Sequence, residues 1–244
     1  MSLDVKIQEF NAAMDRYHQN SYYSKFGLFV ATLVIIFQFL SVINLYSVAL
    51  IAKIDPLYLF LSFFIAYFIT DFINGIIHLL MDNNTHYKSI IGPLIAAFHM
   101  HHKQPLYKNR HPIKIYFYES GAKVWLPIYL LMLLCAQIKL NMPFYLHFIL
   151  VTFGILSSVA EVSHYWCHNS YSASKLVKIL QKYNILLSPK HHKHHHMQDN
   201  MHYAFLNGMT DPLINLIAQW FFKGYKNNAD LHAKAHILQT SNRA

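Results

Sequence analysis

Four apolar stretches constrain this chain more than any other feature. They run from about 26 to 52, 57 to 80, 124 to 138 and 144 to 166. A helix needs roughly 20 apolar residues to cross the hydrocarbon core of a bilayer. The first, second and fourth stretches reach that length, and the third needs interfacial residues at its ends. The expected fold class is therefore an all-α integral membrane protein with four spans in two hairpins. Composition agrees, with 55% hydrophobic and only 13% charged residues, against roughly 25% charged in soluble domains.

The links set a topology. Residues 53–56 and 139–143 are tight turns, whereas 81–123 and the tail from 169 are long and polar. Lys and Arg number 3 in the N-terminal arm, 6 in the middle segment and 9 in the tail, against 1 in each tight turn. The positive-inside rule then places both termini and the middle segment in the cytoplasm. The arm up to Lys25 is polar, carries both charge signs, and does not read as a cleavable signal. We expect one membrane domain over 1–244, with a cytoplasmic cap made of 81–123 and 169–244. Amphipathic helices are expected at 176–187 and 212–225, lying along the membrane surface. The net charge of +9 suits an anionic membrane surface, and the apolar runs argue against nucleic acid as the partner. Cys135 and Cys167 suggest neither a disulfide framework nor a cysteine zinc site.

Of 18 histidines, most gather at a few places on the cytoplasmic side. His78 ends the second span, and His99, His101 and His102 follow it. His164 and His168 end the fourth span, and His191, His192, His194, His195 and His196 follow in the tail. His164 and His168 are four apart and share a helix face, as do His192, His195 and His196. His101 and His102 are adjacent, so they point apart and could serve different ions. The best-placed set is His78, His101, His102, His164, His168, His192, His195 and His196. Eight imidazoles exceed one ion but suit two, at about four or five ligands each.

Acids fall into register with these rings. Asp71, Gly75, His78 and Asp82 line one helix face, and Glu161 precedes His164 by three residues. An acid inside a spanning helix is costly and usually functional. Asp71, Asp82 and Glu161 are each expected to accept the second ring N–H of a ligating histidine. Gly75 should let a neighbouring helix come close. His18, His147, His232 and His236 read as surface residues, and His99 and His194 as outer partners or bystanders. Imidazole suits zinc, copper, iron and nickel, and structural zinc is the poorest fit because it usually takes four ligands with cysteine among them. An all-histidine, two-ion site at the bilayer surface fits oxygen activation by non-haem iron.

The segments DFINGIIHLLMDN (71–83), FHMHHKQP (98–105), HYWCH (164–168) and HHKHHH (191–196) together resemble the plasmanylethanolamine desaturase family, the Kua or CarF group. They are similar to its DxxxGxxHWxxD, FxxHHxxP, HxWxH and HHxxHH motifs. Tyr203, Gly208 and Leu213 follow in the order of its closing stretch, so the likeness runs from about 71 to 220. Leu79 stands where the family has tryptophan, Asn200 where many relatives have histidine, and Asp211 where asparagine is usual. Arg110 and His111 match the ether-lipid members. The group includes a plastid phosphatidylglycerol desaturase.

The resemblance implies two histidine-bound iron ions, O2 as oxidant, and electrons from a separate cytochrome b5, ferredoxin or reductase. It implies a phospholipid substrate and formation of the vinyl ether double bond of plasmalogens. His111, His191 and His202 are then outer partners of the ligands. The alternatives are desaturation of an acyl chain, lipid hydroxylation, or a metal-binding sensor or transporter without catalysis. No Gly-rich nucleotide fingerprint is present, which favours an external electron carrier.

Overall fold

The computed structural model describes residues 2–19, 21–104, 111–118 and 123–241; Pro105 and Arg110 lie outside the described residues. Those residues form eleven α-helices and no strand. In chain order they are α1 (Leu3–Gln19), α2 (Tyr22–Ala49), α3 (Pro56–Asp82), α4 (Gly92–Met100), α5 (Pro112–Tyr118) and α6 (Leu126–Lys139). There follow α7 (Phe144–His168), α8 (Lys175–Lys182), α9 (Pro189–Met197), α10 (Asp211–Phe221) and α11 (Ala229–Ser241). Helices α2, α3 and α7 are long and apolar enough to cross a membrane, and α6 is a shorter apolar helix.

Local chemistry starts these helices where the sequence changes character. Asp55 caps α3 by accepting from Leu57 N at 2.8 Å, with Pro56 in the first turn. Ser188 caps α9 through His191 N at 3.2 Å, with Pro189 next. Such caps satisfy N–H groups that the helix itself leaves open. Helix α8 ends at Lys182, earlier than expected, and Asn184 follows with a left-handed φ of 54°. Asparagine tolerates that conformation and commonly stops a helix. Helix α10 ends at Phe221 because Phe222 turns extended, at φ −125° and ψ 142°.

The long helices are joined by polar bonds between otherwise apolar faces. Asn74 Nδ2 donates to Ser157 Oγ at 3.0 Å, tying α3 to α7. Gln38 Nε2 donates to Gly154 O at 3.0 Å, tying α2 to α7. In lipid such bonds and close packing, rather than hydrophobicity, hold helices together. Phe29 and Phe39 on α2, and Phe60 and Phe64 on α3, are exposed. An apolar surface of that extent marks lipid or a partner, and together with the helix lengths it fits membrane insertion.

A second core sits at the histidine end. Helix α1, read from the sequence as a polar arm, packs Phe10, Ala13 and Met14 against Tyr87, Ile95, Ala96 and Met100 on and before α4, and Ala233 on α11. Tyr203, Ala204 and Tyr225 pack with Leu79 on α3 and Ile214 and Ala218 on α10. Gly75 makes this possible, since a Cβ there would meet Ile214 Cδ1 at 2.4 Å. The element that comes close is α10 with the loop before it.

Candidate metal centre

Four elements deliver the expected histidines to one place. The last turn of α3 brings His78 with Asp82, and the end of α4 brings His101 and His102. The last turn of α7 brings His164 and His168, and α9 brings His192, His195 and His196. They divide into two groups whose donor atoms lie within 4.8 Å of one another: His101, His164, His168, His192 and His196, and His78, Asp82, His102 and His195. His101 and His102, adjacent at the end of α4, enter different groups. In the first group His168 and His196 are half-buried, whereas every member of the second is buried.

In the first group the Nε2 atoms of His164, His168 and His192 form a closed triangle of 3.0, 3.2 and 2.9 Å. His196 Nε2 lies 2.9 Å from His192 Nε2. Three neutral rings cannot satisfy one another in this way, because a shared proton serves only one pair. Nitrogens bound at about 2.1 Å to one ion, at right angles, stand about 3.0 Å apart. The triangle matches that spacing.

The second group shows the same convergence with a carboxylate in it. Asp82 faces the Nε2 atoms of His102, His195 and His78 at 3.2, 3.4 and 3.5 Å. His78 Nε2 is buried without a hydrogen-bond partner, and the Asp82 oxygens, although close enough to His102 for charge pairing, make no well-aligned hydrogen bond. Unpaired buried polar atoms are costly, and a cation between them removes that cost. The outer nitrogens are held instead. His78 Nδ1 donates to Tyr203 O at 2.7 Å, His195 Nδ1 to Met201 O at 2.9 Å, and His102 Nδ1 to Asp230 Oδ1 at 3.0 Å. Fixing a proton on Nδ1 leaves the Nε2 lone pair turned inward, the arrangement a metal ligand requires.

Electrostatics separate the rings. Burial, with neighbouring histidines adding to it, holds His101 and His192 well below the usual histidine range and His196 down to about 2. These rings are neutral, which is the ligating form. Burial also opposes charge on His102, but Asp82 and Asp230 outweigh it and raise that ring to about 9. In the metal-free protein the second group therefore carries an anion and an imidazolium, and His102 would release its Nε2 proton when an ion binds, whereas the first group carries neutral rings.

The outer residues differ from the sequence expectation in instructive ways. Asp82, expected to take an outer ring proton, stands in the inner ring; it lies one helical turn from His78 and faces Nε2. Asp71 touches no histidine ring. Its Oδ1 accepts from Asn207 N and Gly208 N at 2.9 and 3.2 Å, and its Oδ2 from Thr210 N and Oγ1 at 3.0 and 2.7 Å. Seven residues separate it from His78, about 10 Å along a helix, beyond a carboxylate's reach. Glu161 Oε1 lies 3.6 Å from His164 Nδ1. His111 is exposed, and its Nδ1 accepts from Ile113 N at 3.4 Å. His191 and His202 gather on Asp211 rather than on either group.

His147, His232 and His236, read as surface residues, are buried. Tyr87 OH lies 2.9 Å from both His99 Nδ1 and His232 Nδ1, which explains the burial of the latter two rings. Asp230 escaped the sequence reading. It sits on α11, outside every histidine motif, and only the fold brings it to His102. Phe205, also unforeseen, stacks on His164 at 4.4 Å and lies 4.2 Å from His78.

A family model described as a lipid desaturase domain matches residues 67–223, more than half of the chain. The chain belongs to the lipid desaturase domain family. Both donor groups of this desaturase lie wholly inside the matched span, and Asp230 lies outside it. The histidine clusters and apolar helices fit a metal-dependent lipid desaturase acting at a membrane. No curated protein and no solved structure matches the chain.

Proposed function

We propose that the protein is an O2-dependent phospholipid desaturase with two non-haem iron ions, forming the vinyl ether double bond of plasmalogens. The observation that carries the metal part is the convergence of nine donors, in two groups, within a lipid desaturase domain. One ion would take His101, His164, His168, His192 and His196, and the other His78, Asp82, His102 and His195. The vinyl ether product rests on the motif resemblance. When bound, the two irons would supply the activation of O2 needed to oxidise an unactivated carbon chain.

Overall, two C–H bonds on adjacent carbons break and a C=C bond forms. O2, two external electrons and two protons leave as two waters together with the two hydrogens removed. The chain's own residues orient and shield. Tyr203 O, Met201 O and Asp230 hold the protons of His78, His195 and His102 on Nδ1. Phe205 covers His164 and His78 and keeps water from that side. The sequence carries no Gly-rich nucleotide fingerprint, so electrons would come from a separate cytochrome b5, ferredoxin or reductase. We place four spans in the membrane, counting α6, with both termini and the metal centre cytoplasmic and the whole chain as one domain.

The test is lipid analysis of cells with and without the gene. Acid-labile vinyl ethers should appear only with it. New acyl double bonds would move the substrate to an acyl chain. An oxygenated lipid with neither change would make the protein a hydroxylase, and no lipid change with iron bound would favour a sensor or transporter.

A further inference from the structure

A third convergence of donors lies beside the two groups and belongs to neither. His191 Nε2 stands 2.5 Å from Asp211 Oδ2 and 3.1 Å from His202 Nδ1, and His202 Nδ1 stands 3.7 Å from Asp211 Oδ2. The point equidistant from all three atoms is about 1.9 Å from each, so an ion slightly out of their plane reaches normal zinc–nitrogen and zinc–oxygen lengths near 2.0–2.2 Å. The side chains of His191 and His202 are 28% and 18% exposed, which leaves an open side for water ligands and for entry.

The backbone is bent to make this arrangement. His202 has φ of +63°, a conformation uncommon for residues with a side chain, and it is held by its N–H donating to Asn215 Oδ1 at 2.9 Å. Gly208 has φ of +88°, and a Cβ there would meet the His191 ring at 2.7 Å. Asp211 is aimed by accepting from Ala204 N through its other oxygen at 2.9 Å. Strained residues of this kind persist where the surroundings over-determine them, often at functional sites.

We infer that His191, His202 and Asp211 form a third, mononuclear site for a divalent transition cation such as zinc. Two imidazoles, one carboxylate and open positions suit that class of ion. Such a site staples α9, the 198–210 loop and α10 together. That loop carries the Met201 and Tyr203 carbonyls and Phe205, so the cation would fix the wall of the neighbouring centre without belonging to it.

The experiment is a zinc titration of purified, iron-loaded full-length protein, counting zinc and iron per chain by mass spectrometry. It compares the wild type with Asp211→Asn and His202→Asn. Asparagine keeps the acceptor for Ala204 at 211 and tolerates the left-handed backbone at 202. The wild type should take up one zinc per chain with its iron retained. Both variants should bind that zinc at least about tenfold more weakly, since loss of a mere outer partner already costs roughly 10–100-fold. Equal zinc uptake by all three proteins overturns the proposal, as does zinc uptake only at the expense of iron. Should one variant fail to fold, the other decides. His164→Ala separates this site from the desaturase reading, because it should lower iron and leave the zinc in place.

Discussion

Asp82→Asn tests the inner-ring position of this carboxylate. The substitution keeps shape and removes one negative charge from among His78, His102 and His195. In the metal-free protein the His102 imidazolium and the Asp82 carboxylate, 3.2 Å apart, attract by about 5 kcal/mol at an effective dielectric constant near 20. Removing one partner of a buried pair costs roughly 3–5 kcal/mol, so the metal-free variant should unfold at markedly lower temperature. The metal count is the sharper readout. On the proposed two-iron reading, an inner ligand's loss leaves three imidazoles in that group and the five-histidine group intact, so iron should fall from two per chain toward one. An outer partner's loss would weaken binding by roughly 10–100-fold, or about 1.4–2.8 kcal/mol, and saturating iron would restore two. Iron is counted per chain after equilibration with saturating Fe(II), with Glu161→Gln as the outer-partner comparison. Two irons in Asp82→Asn at saturation would refute the inner-ring argument.

Asp71→Ala removes the acceptor of three backbone N–H groups and one hydroxyl. At about 1–3 kcal/mol for each buried group left unpaired, thermal unfolding should show a loss of several kcal/mol; a loss below 1 kcal/mol would contradict the geometry. Gly75→Leu should push α10 and the preceding loop off α3, and proteolysis around 200–210 should accelerate while α3 stays protected. Stability of the metal-free protein should peak near pH 6.5. His196 is lowered to about 2 in the fold, so its contribution is present above pH about 6.5 and is lost as pH falls toward 2. His102 is raised to about 9, so its contribution is full below pH about 6.5 and is lost as pH rises through 9. Chemical denaturation across pH 4–10 checks both limbs, and a stability that rises steadily with pH would contradict the second.

The long apolar helices were legible because the length of an apolar run is a local property. The expected 57–80 and 144–166 became Pro56–Asp82 and Phe144–His168. The histidine grouping was legible where helical spacing decides it, at His164 with His168 and along α9. Adjacent His101 and His102 were legible as a diverging pair. What spacing could not reveal is which side of a ring an acid meets. Asp82 and Asp71 lie on the same face of α3 as His78, yet one faces three Nε2 atoms and the other closes a loop more than 130 residues away. Asp230, His232 and α1 were opaque for a related reason. Their partners are brought by the fold from the far end of the chain, and a polar amphipathic helix reads the same whether it covers a cap or faces water.

The unequal enclosure of the two donor groups has a kinetic consequence. Every donor residue of the group with Asp82 is buried, while His168 and His196 of the other group are half-buried. On the proposed two-ion reading, an ion would reach the buried position by way of the more open one, or through a breathing motion that parts α9 from α3. Loading would then be sequential, with the inner berth filled first and the outer ion closing the door behind it. A chelator should strip the holoprotein in two phases, one ion leaving promptly and the second only as fast as the fold opens.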